Sequence, residues 1–398
     1  MNNVRAAAGF LANLSNDQKN DILTSISNAL ERDAEVISKA NELDRADLLI
    51  PKVLRDRLVL DRKKLANVIS GIGDIIKMSD PVGVETIDRD IYPSLRLKRV
   101  SYPIGVIAVI FESRPDVFIQ IVSLAIKSGN AVILKCGKEA INTCKQLHQT
   151  ILNAHPQIPP DGIQLLTTRE ATNDLLKMDK HIDLIIPRGS KELINYVKSN
   201  TKIPVIGHSD GICHIYVESA PKIAVDIIVD SKVQNPSACN SVETVLIHSS
   251  IADTFIPALA QRLKAHSVQL RGDLRTQQIH PMQNIIDWST EYCDLIISIK
   301  IVDSLDEAIS HINNYGSHHT DAIISEDSDS VNKFFKNVDS ANVFNNCSTR
   351  LSDGYRYGFG AEIGISTQKQ PPRGPVALEG LITYKYQLTN PTQQKFDL

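Results

Sequence analysis

Several features are missing from this 398-residue chain, and each absence narrows what it does. No apolar run approaches the length of a membrane span. The first residues, Met-Asn-Asn-Val-Arg-Ala-Ala-Ala, lack the apolar stretch of a secretory signal. Neither sign of charge dominates: 43 Lys plus Arg against 46 Asp plus Glu leave a net charge of −3. Composition therefore gives no case for nucleic acid or a membrane surface, although a small acidic substrate needs only local positive charge. The six cysteines form no CxxC pair and no Cys/His zinc spacing, so no metal site is expected. Scattered thiols in a chain this long point to a reducing compartment, with the cytoplasm as the expected location. Low-complexity segments and internal repeats are also absent.

What is present reads as α/β, in a chain long enough for two or three domains. Apolar residues at helical spacing predict helices over 6–11, 17–33 (with Asn16 as N-cap), 35–45 and 61–75. Between 81 and 103 the pattern changes to strand alternation, as in a polar-faced hairpin, and 381–388 has the same character. The open edge of such an arm wants cover, often from another subunit. After Pro103, strands over 105–111, 131–135, 163–166, 183–187 and 203–206 alternate with helices over 117–127, 139–154, 171–177 and 191–198. This alternation implies a doubly wound parallel sheet that binds ligands at the carboxyl ends of its strands. A second α/β unit follows a boundary near Ala220–Pro221: helices over 222–234, 250–264, 305–313 and 328–337, strands over 242–248, 296–302 and 322–325.

The chemistry-bearing residues fall in the loops. Cys239 lies in a small-residue loop, Asn-Pro-Ser-Ala-Cys-Asn-Ser, directly before a strand, a setting that holds a thiol still and accessible. Taken alone, it also fits a small buried thiol. Arg188-Gly189-Ser190 joins a strand to a helix, and Lys135-Cys136-Gly137-Lys138 ends another strand; each fits either a phosphate and ribose cradle or an ordinary turn. Arg114, after Phe111-Glu112-Ser113, offers a planar fork for a carboxylate or phosphate, or a surface ion pair. His318 and His319 are neighbours on an extended segment and point to opposite sides, which makes them poor joint metal ligands. His319 is better placed in a turn or a polar contact near substrate. Arg350 and Arg356 flank Ser352-Asp353 and suit an acidic substrate group.

These residues bring a resemblance with them. The run from Val302 to Ile323 carries Ala308-Ile309, His311-Ile312, Tyr315-Gly316-Ser317, His319-Thr320-Asp321 and Ile323 at the spacing of the gamma-glutamyl phosphate reductases, a branch of the aldehyde dehydrogenase superfamily. Phe111-Glu112-Ser113-Arg114-Pro115-Asp116, Gly207-His208-Ser209-Asp210-Gly211, Trp288-Ser289-Thr290-Glu291-Tyr292 and Arg356-Tyr357-Gly358-Phe359-Gly360 are similar as well, so the resemblance covers nearly the whole chain.

The resemblance implies an aldehyde dehydrogenase-like fold: two Rossmann-like parallel-sheet domains and a β-hairpin arm. Residues 1–80 and 104–220 would bind NADP (as NADPH), 221–370 would be catalytic, and 81–103 with 378–398 would form the oligomerisation arm. It implies Cys239 as the catalytic thiol, with Ser113 and Arg114 as oxyanion donors. Lys135, Gly137, Lys138, Arg188, Gly189 and Ser190 would hold the cofactor. Glu291 would hold its nicotinamide ribose, a role that competes with a plain helix-end charge. Arg350, Arg356 and His319 would bind substrate, and the phosphate falls to Arg114, Arg350 or Arg356 without a choice among them. The implied reaction is reduction of L-glutamyl 5-phosphate, with release of phosphate through a cysteine thioester. The implied assembly is a homo-oligomer, dimer or tetramer, with a glutamate 5-kinase as a further partner. Hydrolytic relatives carry a Glu-Leu-Gly-Gly motif whose Glu activates water; here the place reads His208-Ser209-Asp210-Gly211, so the expected site lacks that base. The competing readings are transfer of the acyl group to coenzyme A or water, and a non-catalytic subunit that binds cofactor without turnover.

Overall fold

The computed structural model describes residues 2–47, 49–50, 52–92, 95–168, 170–219 and 223–391. The boundary expected at Ala220–Pro221, the strand start at Ser94 and the arm residues 392–398 lie outside the described residues.

Five helices open the chain: α1 (Asn2–Ala12), α2 (Asn16–Arg32), α3 (Ala34–Arg45), α4 (Lys52–Leu58) and α5 (Arg62–Lys77). The N-cap of α2 is Ser15, one residue before the expected Asn16. Its hydroxyl accepts the Gln18 N–H while the Gln18 side chain reaches back to the Ser15 N–H, a capping box that outweighs a lone Asn. The arm follows: β1 (Glu85–Tyr92) pairs antiparallel with β2 (Leu95–Pro103), which in turn pairs with the C-terminal strand Ile382–Thr389. The two segments with matching alternation thus share one three-stranded sheet.

The parallel sheet of the first unit contains β3 (Val106–Phe111), β4 (Ala131–Cys136), β5 (Ile163–Leu166) and β6 (Leu184–Arg188), with α6 (Pro115–Lys127), α7 (Ile141–Leu152), α8 (Glu170–Leu175) and α9 (Lys191–Ser199) between and after them. The order is β5-β4-β3-β6, so the strand sequence reverses between β3 and β6. Every residue of β3 is buried, which is why its pattern is continuous rather than alternating. Residues 203–206, expected as a strand, make only an isolated bridge from Val205 to Ile185. The proline at position 204 withholds a ladder donor there.

The chain divides into compact units after Gly207, earlier than expected. The reason is β7 (Cys213–Val217), which precedes the expected boundary and pairs within the second sheet. That unit continues through α10 (Ala224–Val233), β8 (Val242–His248), α11 (Ser249–Ala265), β9 (Gln269–Gly272), α12 (Leu274–Ile279), β10 (Gln283–Asn284), β11 (Ile296–Val302), α13 (Leu305–Tyr315), β12 (Thr320–Ile324), α14 (Ser328–Asn337) and β13 (Asn342–Asn345). Its parallel sheet runs β10-β9-β11-β8-β7-β12-β13. Strands β8, β7 and β12 are consecutive in that order, and the loops that precede them converge at one edge.

A buried ion pair ties α10 to β8 under that edge: Lys232 Nζ lies 2.8 Å from Glu243 Oε2, and both residues are buried. Burial pushes the Glu243 carboxyl up to about 7 against the pull of Lys232. Removing one partner strands a buried charge, whereas removing both leaves apolar packing. Lys232→Met is expected to lower unfolding stability in urea by about 3 kcal/mol, and Lys232→Met with Glu243→Leu to recover most of that loss. Equal losses in the single and double variants would show that the pair is not what the sheet edge rests on.

Candidate active site

Two tandem turns present Cys239. Ala238 donates its N–H to the Asn235 carbonyl at 3.1 Å, and Ser241 donates to the Ala238 carbonyl at 2.9 Å, after which β8 begins. The Cys239 backbone is pressed against Gly211, where any Cβ would lie 2.2 Å from the Cys239 carbonyl oxygen. Glycine is therefore required at 211 by close approach. The Cys213 thiol donates to that same carbonyl at 3.3 Å. Burial raises the Cys213 thiol well above the ordinary range, which leaves it inert.

His208, ahead of β7, and His319, ahead of β12, flank the half-buried Cys239. One ligand atom from each of the three lies within 4.8 Å of the others, and the two rings meet edge to face at 4.9 Å. His208 Nδ1 is bonded to the Ile365 carbonyl at 2.7 Å, which leaves Nε2 for the thiol. His319 Nδ1 is bonded to Thr320 Oγ1 at 2.8 Å. Neighbouring His318 bonds instead to the Asp339 carbonyl at 2.6 Å; its φ of +60° puts it in a bend ahead of β12, where an extended segment was expected. Asp321, the last of the His-Thr-Asp run, accepts the His214 N–H at 2.7 Å and so locks β12 to β7. The signature thus fixes the sheet edge that carries the thiol.

Burial alone would raise the Cys239 thiol, but His319 and His208 outweigh it and hold the thiol well below its ordinary range. Burial alone would lower His208; the Cys239 thiolate, the bond to it and the Ile365 carbonyl push it up to about 9. The two shifts describe one ion pair, thiolate and imidazolium. Glu291 also belongs to this neighbourhood: it accepts the Gly211 N–H, and burial together with the Cys239 charge raises its carboxyl.

Arg350 and Arg356 complete the cationic side. Arg356 donates to the Arg350 carbonyl at 2.9 Å and to Gln234 Oε1 at 3.1 Å. Burial, then the neighbouring Arg356, lowers the Arg350 guanidinium, while the Cys239 charge opposes that shift. Asn240 Nδ2 donates to the Ser352 carbonyl at 2.8 Å, which ties the thiol turn to this segment.

The other expected residues lie on the first unit. Ser113, with φ of +49°, commits both its N–H (2.8 Å) and its hydroxyl (2.9 Å) to Glu139 Oε1. Arg114 is half-buried ahead of α6. Lys135 is half-buried, with Nζ on the Cys136 carbonyl, and Lys138 is exposed. Arg188 Nη1 donates to the carbonyls of Glu362 (3.2 Å) and Ile363 (2.6 Å). Gly189 and Ser190 are exposed at the start of α9, and the Ser190 N–H is held by Glu112 Oε2 at 2.9 Å.

Three findings extend the sequence reading. His319, expected in a turn or in a polar contact near substrate, meets the thiol. The thiol site uses the amino ends of β7, β8 and β12, the reverse of the edge expected for the first sheet, because the cysteine precedes its strand. His208 went unassigned as a partner of Cys239, although its place opposite the missing glutamate was a signal. The site lacks the glutamate but holds an imidazole, which as imidazolium at neutral pH acts as an acid and does not activate water.

Iodoacetamide labelling of Cys239, read by peptide mass spectrometry, should stay fast down to about pH 6.5, where an ordinary thiol is almost wholly protonated. His208→Gln should slow labelling there about tenfold, the equivalent of one pKa unit. A wild-type profile centred on about pH 8.5, that of an unperturbed thiol, would remove the ion pair.

Comparison with known proteins gives the family. Residues 1–285 match the sequence profile described as "Aldehyde dehydrogenase family". A gamma-glutamyl phosphate reductase of Nostoc punctiforme is 55% identical over 397 residues, covering 97% of this chain and 91% of the relative. The crystal structure of a gamma-glutamyl phosphate reductase from Thermotoga maritima superposes with a TM-score of 0.95 at 37% identity, covering 99% of this chain and 98% of that one. An acetylating aldehyde dehydrogenase from Geobacillus thermoglucosidasius, at 18% identity and a TM-score of 0.70 over 100% of this chain and 96% of its own, shares the fold. On the profile match and the identity over nearly its whole length, this chain belongs to the aldehyde dehydrogenase family, among the gamma-glutamyl phosphate reductases.

Proposed function

We propose that this chain reduces L-glutamyl 5-phosphate to L-glutamate 5-semialdehyde, with release of phosphate, as a step of proline biosynthesis. The observation that carries the reading is the Cys239–His208 pair beside two guanidiniums, in a site whose water-activating glutamate is replaced by a cation. The Cys239 thiolate attacks the acyl carbon, the acyl–oxygen bond breaks, and phosphate leaves as a thioester forms. Arg350 and Arg356 offset the charge of the phosphate or of the substrate α-carboxylate. When bound, the nicotinamide cofactor of this family supplies the hydride that reduction of the thioester requires. Backbone N–H groups of the 238–241 turn support the oxyanion. His208 holds a proton beside that oxygen, and collapse returns the thiolate to its partner.

The first unit suits such a dinucleotide. Its strand order reverses between β3 and β6, the place where open α/β sheets take nucleotides. The loops there offer Lys135, Gly137, Lys138, Gly189 and Ser190. The Glu112 carboxylate already seats an anion on the Ser190 N–H, in space that a Cβ on Gly189 would fill. Exposed Lys138 is assigned to the 2′-phosphate of NADP, and Glu291 to the nicotinamide ribose. The arm exposes Tyr102, Tyr384, Tyr386 and Leu388, which support burial in a homo-oligomer, dimer or tetramer. Supply of an unstable acyl phosphate by a bound glutamate 5-kinase, in the cytoplasm, belongs to the same proposal. Among the described residues no helix is long and apolar enough to cross a membrane.

Run in reverse, purified protein with semialdehyde, NADP and phosphate should form NADPH. Omitting phosphate, or replacing it with coenzyme A, should abolish turnover; a rate indifferent to phosphate would sink the acyl-phosphate reading. Cys239→Ser should stop the reaction with cofactor binding retained. Lys138→Glu should lower kcat/KM for NADP by about tenfold or more while leaving that for NAD nearly unchanged, as loss of one charge-assisted contact predicts. An equal fall with both cofactors would remove Lys138 from 2′-phosphate recognition.

A further inference from the structure

We propose that His208, Cys239 and His319 form a three-ligand site for Zn2+, which binds the resting enzyme and blocks its thiol. Binding needs only these side chains; the block rests on Cys239 being the nucleophile proposed above. Thiolate and imidazole are the donors zinc prefers, and three protein ligands with a fourth position left to water are its open-site arrangement. The donor atoms lie within 4.8 Å of one another. Bond lengths of about 2.3 Å to sulfur and about 2.0–2.1 Å to nitrogen place tetrahedral donors roughly 3.3–3.8 Å apart, so the cluster closes with small side-chain rotations.

Two further observations point to a ligand. His319 is fully buried, and its Nε2 finds no nitrogen or oxygen partner among the described residues, so it faces only the cluster and its thiol. Each histidine also has its other nitrogen engaged: Nδ1 of His208 on the Ile365 carbonyl and Nδ1 of His319 on Thr320 Oγ1. That outer bond is the feature that orients metal-binding imidazoles and directs the remaining lone pair inward. Cys213 does not serve as a ligand, because its S–H is donated to the Cys239 carbonyl.

The three residues are far apart in sequence and match no metal motif. Strand order alone assembles them, at the start of β8, before β7 and before β12. Binding consumes the thiolate and the Nε2 lone pairs, so the proton on the His208 Nε2 goes to solvent and affinity falls as pH falls.

The test uses zinc sulfate alone in phosphate-free buffer. Competition against a chromophoric chelator should give one tight Zn2+ per chain, abolished by Cys239→Ser and weakened at least tenfold by His319→Gln. In the wild-type protein, Zn2+ should protect the Cys239 peptide from iodoacetamide, and EDTA should restore labelling. This readout needs no variant and no substrate, so it stands even if the acyl-phosphate assay fails. Absence of stoichiometric binding, binding that survives Cys239→Ser, or unaltered labelling of Cys239 would overturn the proposal.

Discussion

The pairing of the Cys239 thiolate with the His208 imidazolium is the interaction on which the site depends. A thiol moved out of water resists ionising, and burial pushes Cys239 in that direction. His319 and His208 close by reverse the balance. The Ile365 carbonyl secures one side of the His208 ring, and the thiolate secures the other. Gly211 lets the strand that follows His208 approach the thiol turn closely enough for the two to meet. The wider sheet edge then serves the pair: Asp321 fixes β12 against β7, and Lys232 with Glu243 anchors β8 beneath the turn.

The same pair changes what the missing glutamate means. A carboxylate in its place would draw a proton from water and hydrolyse a thioester. A cation does the opposite: it stabilises anions, whether thiolate, oxyanion or departing phosphate, and offers no lone pair to water. Protection of an acyl-enzyme from hydrolysis therefore follows from charge as well as from absence. The first unit uses the opposite sign. Glu112 and Glu139 hold the loops after β3 and β6 through backbone N–H groups that a phosphate or a ribose oxygen also suits.

Much of this was legible in the sequence. Continuous apolar runs such as 105–111 mark strands buried on both faces, and alternation between 81 and 103 marks the arm. The run from Val302 to Ile323 carries the family, and the loop around Cys239 marks the thiol proposed as nucleophile. What was not legible was adjacency. His208 lies 31 positions before Cys239 and His319 lies 80 after it, and only the order β8-β7-β12 brings them together. Strand β7 itself escaped because Cys213 follows a glycine-containing loop and its short apolar run resembles helix packing. Nor was the tie legible that Arg188 makes through Nη1 to two carbonyls far along the chain.

The central claim is that Cys239 carries an acyl group that water does not remove and phosphate does. Mass spectrometry of enzyme mixed with the semialdehyde and NADP, without phosphate, tests this most directly. The prediction is one glutamyl adduct per chain, on the Cys239 peptide, which persists until phosphate is added and then disappears. An adduct on another residue, or one lost at the same rate with and without phosphate, would contradict it.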